Sequence, residues 1–261
     1  KINYFFCVFE PHNMNEIAII IPSRLSAKRL PNKPLKTINN KEMILHVHDL
    51  AVKSGIGDVF VATPDDEISR VVKNHGGKAI ITKKEHETGT DRIFEVFEKE
   101  LKKSPKFIIN LQGDMPNLNP SAIVDLTNHM QKNTCDIGTL ASNFLNESEL
   151  KDNNAVKVIT REDLKVKKFS KATDFLRVSN SSNINLMYHH IGIYAFTNEA
   201  LIRYVNLKRS KDEIERKLEQ LRALDNKMKI EVGYIDQCPL SIDTEEDLIK
   251  IKNIMESNVK N

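Results

Sequence analysis

Cysteine is scarce in this sequence and scattered. Cys7, Cys135 and Cys238 stand far apart with no Cys-x-x-Cys pair, so neither a disulfide framework nor a zinc knot is indicated, and a reducing cytoplasm is the expected setting. An excess of charge of one sign is nearly missing: 39 Lys plus Arg against 36 Asp plus Glu leave a formal net charge of +3, with both signs interspersed. A nucleic-acid binder would more often carry a basic stripe or a domain pI above about 9, so no nucleic-acid partner is expected. The densest basic run, Lys165 to Lys171, alternates with apolar residues and reads as the wet face of a hairpin rather than a site for an anionic polymer. Nothing approaches the roughly 18 consecutive apolar residues of a membrane span, and no membrane partner is expected. The short apolar patch within Lys1 to Phe9 is followed by Glu10 and Pro11, without an adequate h-region or a small-residue cleavage site. Met14 precedes the first convincing strand, so residues 1–13 are expected to be an extension outside the fold. Tryptophan is absent, yet 40% of the 261 residues are hydrophobic, enough for one large core in a single domain over 14–261, and no Pro/Gly/Ser linker or internal repeat divides it.

What is present is an alternation of apolar runs and helical periodicity. Ile17 to Ile21 is a continuous apolar strand ended by Pro22. Met43, Ile44, Val47, Leu50 and Ala51 then fall on one helical face, which Gly55 stops. The pattern repeats with strand Val59 to Ala62, a helix from Asp66, strand Ala79 to Ile81, a helix through Ile93 and Phe97, strand Phe107 to Leu111, and a helix opened by Asn119-Pro120. Such a rhythm implies an α/β fold, a mostly parallel sheet with helices on both faces. From about Asn154 it changes. Val156 to Thr160 and Leu164 to Phe169 read as a hairpin, His190 to Phe196 as a strand, and Glu199 to Val205 and Asp212 to Leu224 as helices. Strand Ile230 to Ile235 and a helix from Thr244 to about Met255 close the chain. Residues 154–196 read as an insertion into the same sheet.

The residues with chemistry gather after strand ends. Ser23, Arg24, Arg29 and Lys33 lie in a basic loop directly behind the first strand. Ligands of open α/β sheets bind outside the carboxyl ends of strands, and a triphosphate needs fixed cations that also stabilise departing pyrophosphate. The plainer reading is a solvated loop pinned by prolines. Asp114, in Gln112-Gly113-Asp114, ends another apolar strand at the same edge. A carboxylate beside a triphosphate is what magnesium requires, although a turn alone would also explain Gly-Asp-x-Pro. Asp243-Thr244 followed by Asp247 reads first as a helix cap. Thr90 can likewise cap the helix that carries Ile93.

The segment Pro22-Ser23-Arg24 with Arg29-Leu30-Pro31-Asn32-Lys33-Pro34-Leu35 resembles the nucleotide signature of cytidylyltransferases for acidic sugars, in the form of the 3-deoxy-manno-octulosonate branch. The resemblance continues through Val61-Ala62-Thr63, His86-Glu87-Thr88-Gly89-Thr90-Asp91-Arg92, Asn110-Leu111-Gln112-Gly113-Asp114 and Asp243-Thr244-Glu245-Glu246-Asp247-Leu248, covering almost all of the chain from Asn15. It implies a three-layer Rossmann-like nucleotide-diphospho-sugar transferase fold, CTP and an acidic 3-deoxy sugar as substrates, Mg2+ as cofactor, and a homodimer. By the same resemblance Arg24, Arg29 and Lys33 contact CTP, with Ser23, Thr63, Gly89, Thr90 and Gln112 also around the nucleotide. Asp114 and Asp243 hold the metal, and Arg92, His190, Tyr194, Glu219 and Gln220 line the sugar. Periodicity alone would put Glu219 and Gln220 on an exposed helix face, and Tyr194 reads equally as a half-buried strand residue. Met115 stands where the family commonly has Glu, and Lys171 where it has Arg, which weakens a bidentate contact there.

Overall fold

A computed structural model describes residues 16–26, 29–179 and 185–257; the extension expected at 1–13 lies outside them. Strand β1 (Ile17–Pro22) is followed by the basic loop, a 3-10 turn at Lys33–Leu35, and a small ribbon of β2 (Thr37–Ile38) and β3 (Lys41–Glu42). Helix α1 (Met43–Ser54), β4 (Asp58–Thr63), α2 (Asp66–Asn74), β5 (Lys78–Ile81), α3 (Gly89–Lys99), β6 (Phe107–Asn110), α4 (Pro120–Lys132) and β7 (Ile137–Ser142) complete the alternating half. Then come β8 (Lys157–Thr160), α5 (Leu164–Lys167), β9 (Phe169–Leu176), β10 (Met187–Thr197), α6 (Asn198–Val205), α7 (Lys211–Arg216), α8 (Leu221–Asp225), β11 (Ile230–Tyr234) and α9 (Glu245–Ser257).

One nine-stranded sheet runs β5-β4-β1-β6-β10-β7-β11-β9-β8. Strands β5, β4, β1 and β6 are parallel, so Thr63, Pro22 and Asn110 all end at one edge. Strand β10 runs against β6 and pairs Tyr194 with Asn110, which carries the second half of the chain to that same edge. Because side chains alternate across a strand, β1 feeds both cores. Ile17, Ile19 and Ile21 pack with α1 and α4, while Ala18 and Ile20 pack with α3. Helices on both faces follow, as the periodicity predicts.

Besides β2, β3 and β7, which have no counterpart in the sequence reading, two elements differ from it. Leu164–Lys167 is a helical turn, and the hairpin partner of β8 is β9, whose strand starts only at Phe169. Asp163 caps that turn through Lys165 N–H at 2.9 Å and Lys168 adopts φ 59°, so the lysines stay in water and Leu164 alone turns inward. The helix expected over Asp212 to Leu224 is broken. Lys217 is left-handed at φ 56°, and α7 and α8 are tied instead by Glu213 and Arg222, both buried, with Arg222 Nη2 donating to Glu213 Oε1 at 2.6 Å.

Candidate active site

Two apolar residues draw the charged ones together. Leu30, next to Arg29, and Ile242, next to Asp243, sink into one small core with Ile38, Met43, Leu248 and Ile251. Their charged neighbours consequently meet although they lie 214 positions apart: Arg29 Nη2 donates to Asp243 Oδ2 at 3.0 Å, while Nη1 donates to Asn154 Oδ1 at 2.8 Å. The Ile242 N–H donates to the Asp114 carbonyl at 3.0 Å, which docks the loop after β6 on the same segment. Lys33 Nζ enters between the carboxylates, 3.1 Å from Asp114 Oδ2, 3.2 Å from Asp243 Oδ1 and 2.7 Å from the Ile242 carbonyl. Burial alone would lower the pKa of Lys33, but the Asp114 and Asp243 carboxylates outweigh it and the net shift is upward. The ammonium therefore stays charged.

Asp243 is not the cap that local sequence suggests. Thr244 Oγ1 accepts from Asp247 N–H at 3.2 Å, and Asp247 Oδ2 accepts from the Thr244 and Asp243 N–H groups at 3.0 and 3.1 Å. The capping box is thus complete without the Asp243 carboxylate. That carboxylate is left facing Arg29 and Lys33. With Asp114 it offers hard oxygen donors converging on one cationic group, the donor chemistry that suits Mg2+.

Gln112 is the wall between two clefts. One, of about 170 Å³, is lined by Ser23, Arg24, Thr88, Gly89, Arg92 and Gln112. The other, of about 660 Å³, holds Arg29, Asp114 and Asp243 with His190 and Gly192. Arg24 is exposed at the first cleft, and the buried Ser23 Oγ there has no partner. Asp65 holds the loop above it, accepting from Leu25 N–H at 2.8 Å. A Cβ on Gly89 would stand 3.3 Å from Pro22 Cγ and 3.6 Å from Gln112 Nε2, so a side chain would crowd this cleft. The Gln112 amide is oriented by Asn110 Oδ1, 3.0 Å away.

The structure sorts some residues differently from the sequence reading. Arg92, expected with the sugar group, lies beside Arg24 in the smaller cleft; its guanidinium donates to the Lys83 carbonyl at 2.9 Å and the Lys84 carbonyl at 3.2 Å. Thr63 is fully buried and its hydroxyl accepts from Asp65 N–H at 3.1 Å, committing it to the β4–α2 turn. The cap of α3 is Thr88 with Asp91, not Thr90. Thr90 instead donates to Glu219 Oε1 and accepts from Asn110 Nδ2, each at 3.2 Å. Lys171 is an exposed residue of β9.

Thr90, Tyr194, Glu219 and Gln220 line a third, tight cavity with Tyr204. The break between α7 and α8 puts Glu219 in a turn, where its carbonyl accepts from Tyr204 Oη at 2.8 Å. Glu219 Oε2 is enclosed and has no partner. Burial raises the Glu219 pKa, partly opposed by hydrogen bonds from Thr88 and Thr90, and burial pushes Tyr194 well above the ordinary phenol range. His190 is buried and brought down to about 3, which leaves the imidazole neutral. Its Nε2 lies 2.9 Å from Thr139 Oγ1, at the irregularity of β10 between Ile191 and Tyr194.

Asn154, Asn110 and Lys157 are supporting residues that sequence reasoning missed. Lys157 is fully buried, its Nζ donating to the Asp152, Ala155 and Arg177 carbonyls at 2.7, 2.6 and 2.5 Å, which pins the loop presenting Asn154. A lone lysine in a strand gives no local signal of this. Asn110 could have been found, since it shares the apolar strand end with Gln112.

A family model described as cytidylyltransferase matches residues 18–230. The chain is 39% identical over 241 residues to 3-deoxy-manno-octulosonate cytidylyltransferase of Bartonella tribocorum, covering 92% of this chain and 98% of that protein. It is 37% identical over 243 residues to the protein of that name in Paramagnetospirillum magneticum, covering 92% and 97%. Among solved structures it resembles CMP:2-keto-3-deoxy-manno-octonic acid synthetase complexed with CTP, at TM-score 0.84 and 32% identity over 93% of this chain and 99% of that one.

Proposed function

The chain belongs to the cytidylyltransferase family, and from that premise we propose that it transfers CMP from CTP to the anomeric hydroxyl of 3-deoxy-manno-octulosonate, releasing pyrophosphate and giving CMP-KDO. The observation that carries this reading is the convergence of Arg29, Lys33, Asp114 and Asp243 on one cleft at the strand-end edge. The anomeric oxygen attacks the α-phosphorus in line, and the α–β phosphoanhydride bond breaks. Arg24, Arg29 and Lys33 supply fixed cations for the triphosphate and the departing pyrophosphate. Mg2+ held by Asp114 and Asp243 would supply neutralisation of phosphate charge and a lower pKa for the attacking hydroxyl. Gln112, oriented by Asn110, faces the base. The unpartnered Ser23 Oγ and the backbone at Gly89 offer close polar contact in the smaller cleft. Glu219, Gln220 and Tyr194 around the tight cavity, and His190 on the large cleft, offer hydrogen bonds to the sugar, with the free Glu219 Oε2 an acceptor for a hydroxyl. A neutral His190 positions by hydrogen bonding and adds no charge beside an acidic sugar.

A pyrophosphate-release assay with CTP, ATP, GTP and UTP, with and without 3-deoxy-manno-octulosonate, tests the reading. Release is expected only with CTP and the sugar together; comparable turnover with ATP would overturn the nucleotide assignment. Faster release with an 8-amino analogue or a nonulosonic acid would transfer the activity to that sugar, and none with any acidic sugar would leave a nucleotide-binding protein of the same fold. Among the described residues no helix is long and apolar enough to cross a membrane. A cytoplasmic setting, supported by the unpaired Cys135 and Cys238, belongs to the same proposal, as does a role for the product in lipopolysaccharide synthesis. So does a homodimer through the β8–β9 region, where Val166 and Val178 are 78% and 40% exposed; a monomeric mass at micromolar concentration would remove it.

A further inference from the structure

Helix α1 and the turn joining α2 to β5 bring together ligand-type side chains that the proposed reaction does not use. His75 Nε2 stands 2.9 Å from Asp49 Oδ1, and His48 Nδ1 stands 3.4 Å from the same oxygen. One ligand atom from each of the three side chains lies within 4.8 Å of those of the other two. In a tetrahedral site with metal–ligand bonds of about 2.05 Å, ligand atoms are separated by about 3.3 Å. The His48–Asp49 edge already has that length, and the His75–Asp49 edge has only to open by a few tenths of an ångström. The two rings stand edge to face, centroids 6.1 Å apart at 81°, so they do not stack on each other.

The group is held from both sides. His48 is buried, and a Cβ on Gly77 would lie 2.7 Å from its Nε2, so the ring fits only because that position has no side chain. Lys41 bonds Asp49 through Oδ2, which steadies the carboxylate as outer partners of metal ligands do and leaves Oδ1 to the histidines. The His75 side chain is 36% exposed and gives an ion a way in. Two imidazole nitrogens and one carboxylate oxygen suit a borderline transition ion and not Mg2+, which prefers oxygen throughout.

We propose that His48, Asp49 and His75 form a binding site for a divalent transition ion of the Zn2+ class, which clasps α1 to the α2–β5 turn and is separate from the carboxylates of the large cleft. The ion would bridge two elements that adjoin the sheet edge at β4 and β5, so binding stabilises the folded chain by mass action. In the other mixed group, His129, Cys135 and Glu231, the two charged-type side chains bond each other, His129 stacks on Phe169 at 3.7 Å, and the buried Cys135 Sγ is turned to Met130 Sδ at 3.2 Å.

The test uses the whole chain stripped with EDTA and titrated with Zn2+ by calorimetry and with Co2+ by visible absorption. The expected result is saturable uptake of a single equivalent, the d–d bands of a four-coordinate Co2+ ion, and a rise in melting temperature that excess Mg2+ does not reproduce. His75→Ala, at an exposed position that leaves the fold intact, should weaken binding by about tenfold or more, while His129→Ala should leave it unchanged. Absence of saturable uptake, uptake indifferent to His75→Ala, or uptake lost in His129→Ala would each overturn the site.

Discussion

On the β1–β6 side of the cleft, charge stands in loops and is balanced by other charge: Arg29 is 54% exposed, and Lys33 sits between Asp114 and Asp243. On the β10–α8 side the polar groups are enclosed and kept uncharged or reluctant to ionise, with His190 brought down to about 3, Tyr194 raised, and Glu219 raised by burial. The difference follows from what each side would hold. A triphosphate brings its own negative charge and rewards fixed cations close to water, whereas a sugar is recognised by hydroxyls, for which enclosed donors and acceptors give the sharper discrimination.

The largest effect should come from the paired carboxylates. Asp243→Asn and Asp114→Asn should each lower pyrophosphate release by about 10²-fold to 10³-fold, with a melting temperature near that of the parent. The Thr244–Asp247 box still caps α9 in Asp243→Asn, so near-normal turnover in that variant at low magnesium would remove Asp243 from the charged side. Raised magnesium should restore part of the activity in both.

Next come the cations. Lys33→Ala and Arg29→Ala should each cost about 10²-fold in turnover, and stability should change less, since loop cations contribute more to phosphate than to packing. Unchanged release in both would make the loop a solvated surface and erase the contrast between the two sides. Glu219→Gln probes the other side. It should raise KM for the sugar by about 10-fold to 100-fold, the range for one hydrogen bond to a charged or enclosed acceptor, and leave KM for CTP near its parent value. An equal rise for both substrates would show that the sides are not separable.

The smallest effect is a pH dependence of stability. The His190 pKa is about 3 in the folded chain against about 6.5 for an unperturbed histidine. A depressed histidine pKa means that the unfolded chain takes up the proton first, so His190 costs nothing above pH 6.5 and destabilises progressively as pH falls from there toward 3. The loss should reach about 1 kcal/mol between pH 7 and pH 5.5, read by denaturant melts, and His190→Gln should flatten that slope. An identical slope in the variant would mean that His190 is charged in the folded chain.

The charged side was the more legible in sequence because its residues follow strand ends, where a loop after an apolar run can be recognised without knowing its partners. Arg29, Lys33 and Asp114 could be picked out in this way. Asp243 could not be separated from an ordinary cap by local pattern. Only the Leu30–Ile242 core, which turns its carboxylate toward Lys33, decides its surroundings. The enclosed side was read less well. Thr90 looked like a cap and bonds Glu219, and the helix expected over Asp212 to Leu224 is broken so that Glu219 turns inward.

Sequence alone determined the alternation of strands and helices, the edge at which the loops gather, and the kinds of group available there, because apolar periodicity and strand-end chemistry are local properties. Which of those groups meet, which way each points and whether each keeps its charge were decided by tertiary structure. Lys157 is a lysine like any other in the chain until three carbonyls surround it, and His48, Asp49 and His75 become one cluster only when the turn after α2 is brought to α1. Burial and long-range pairing set those outcomes, and both arise only once the distant segments pack together.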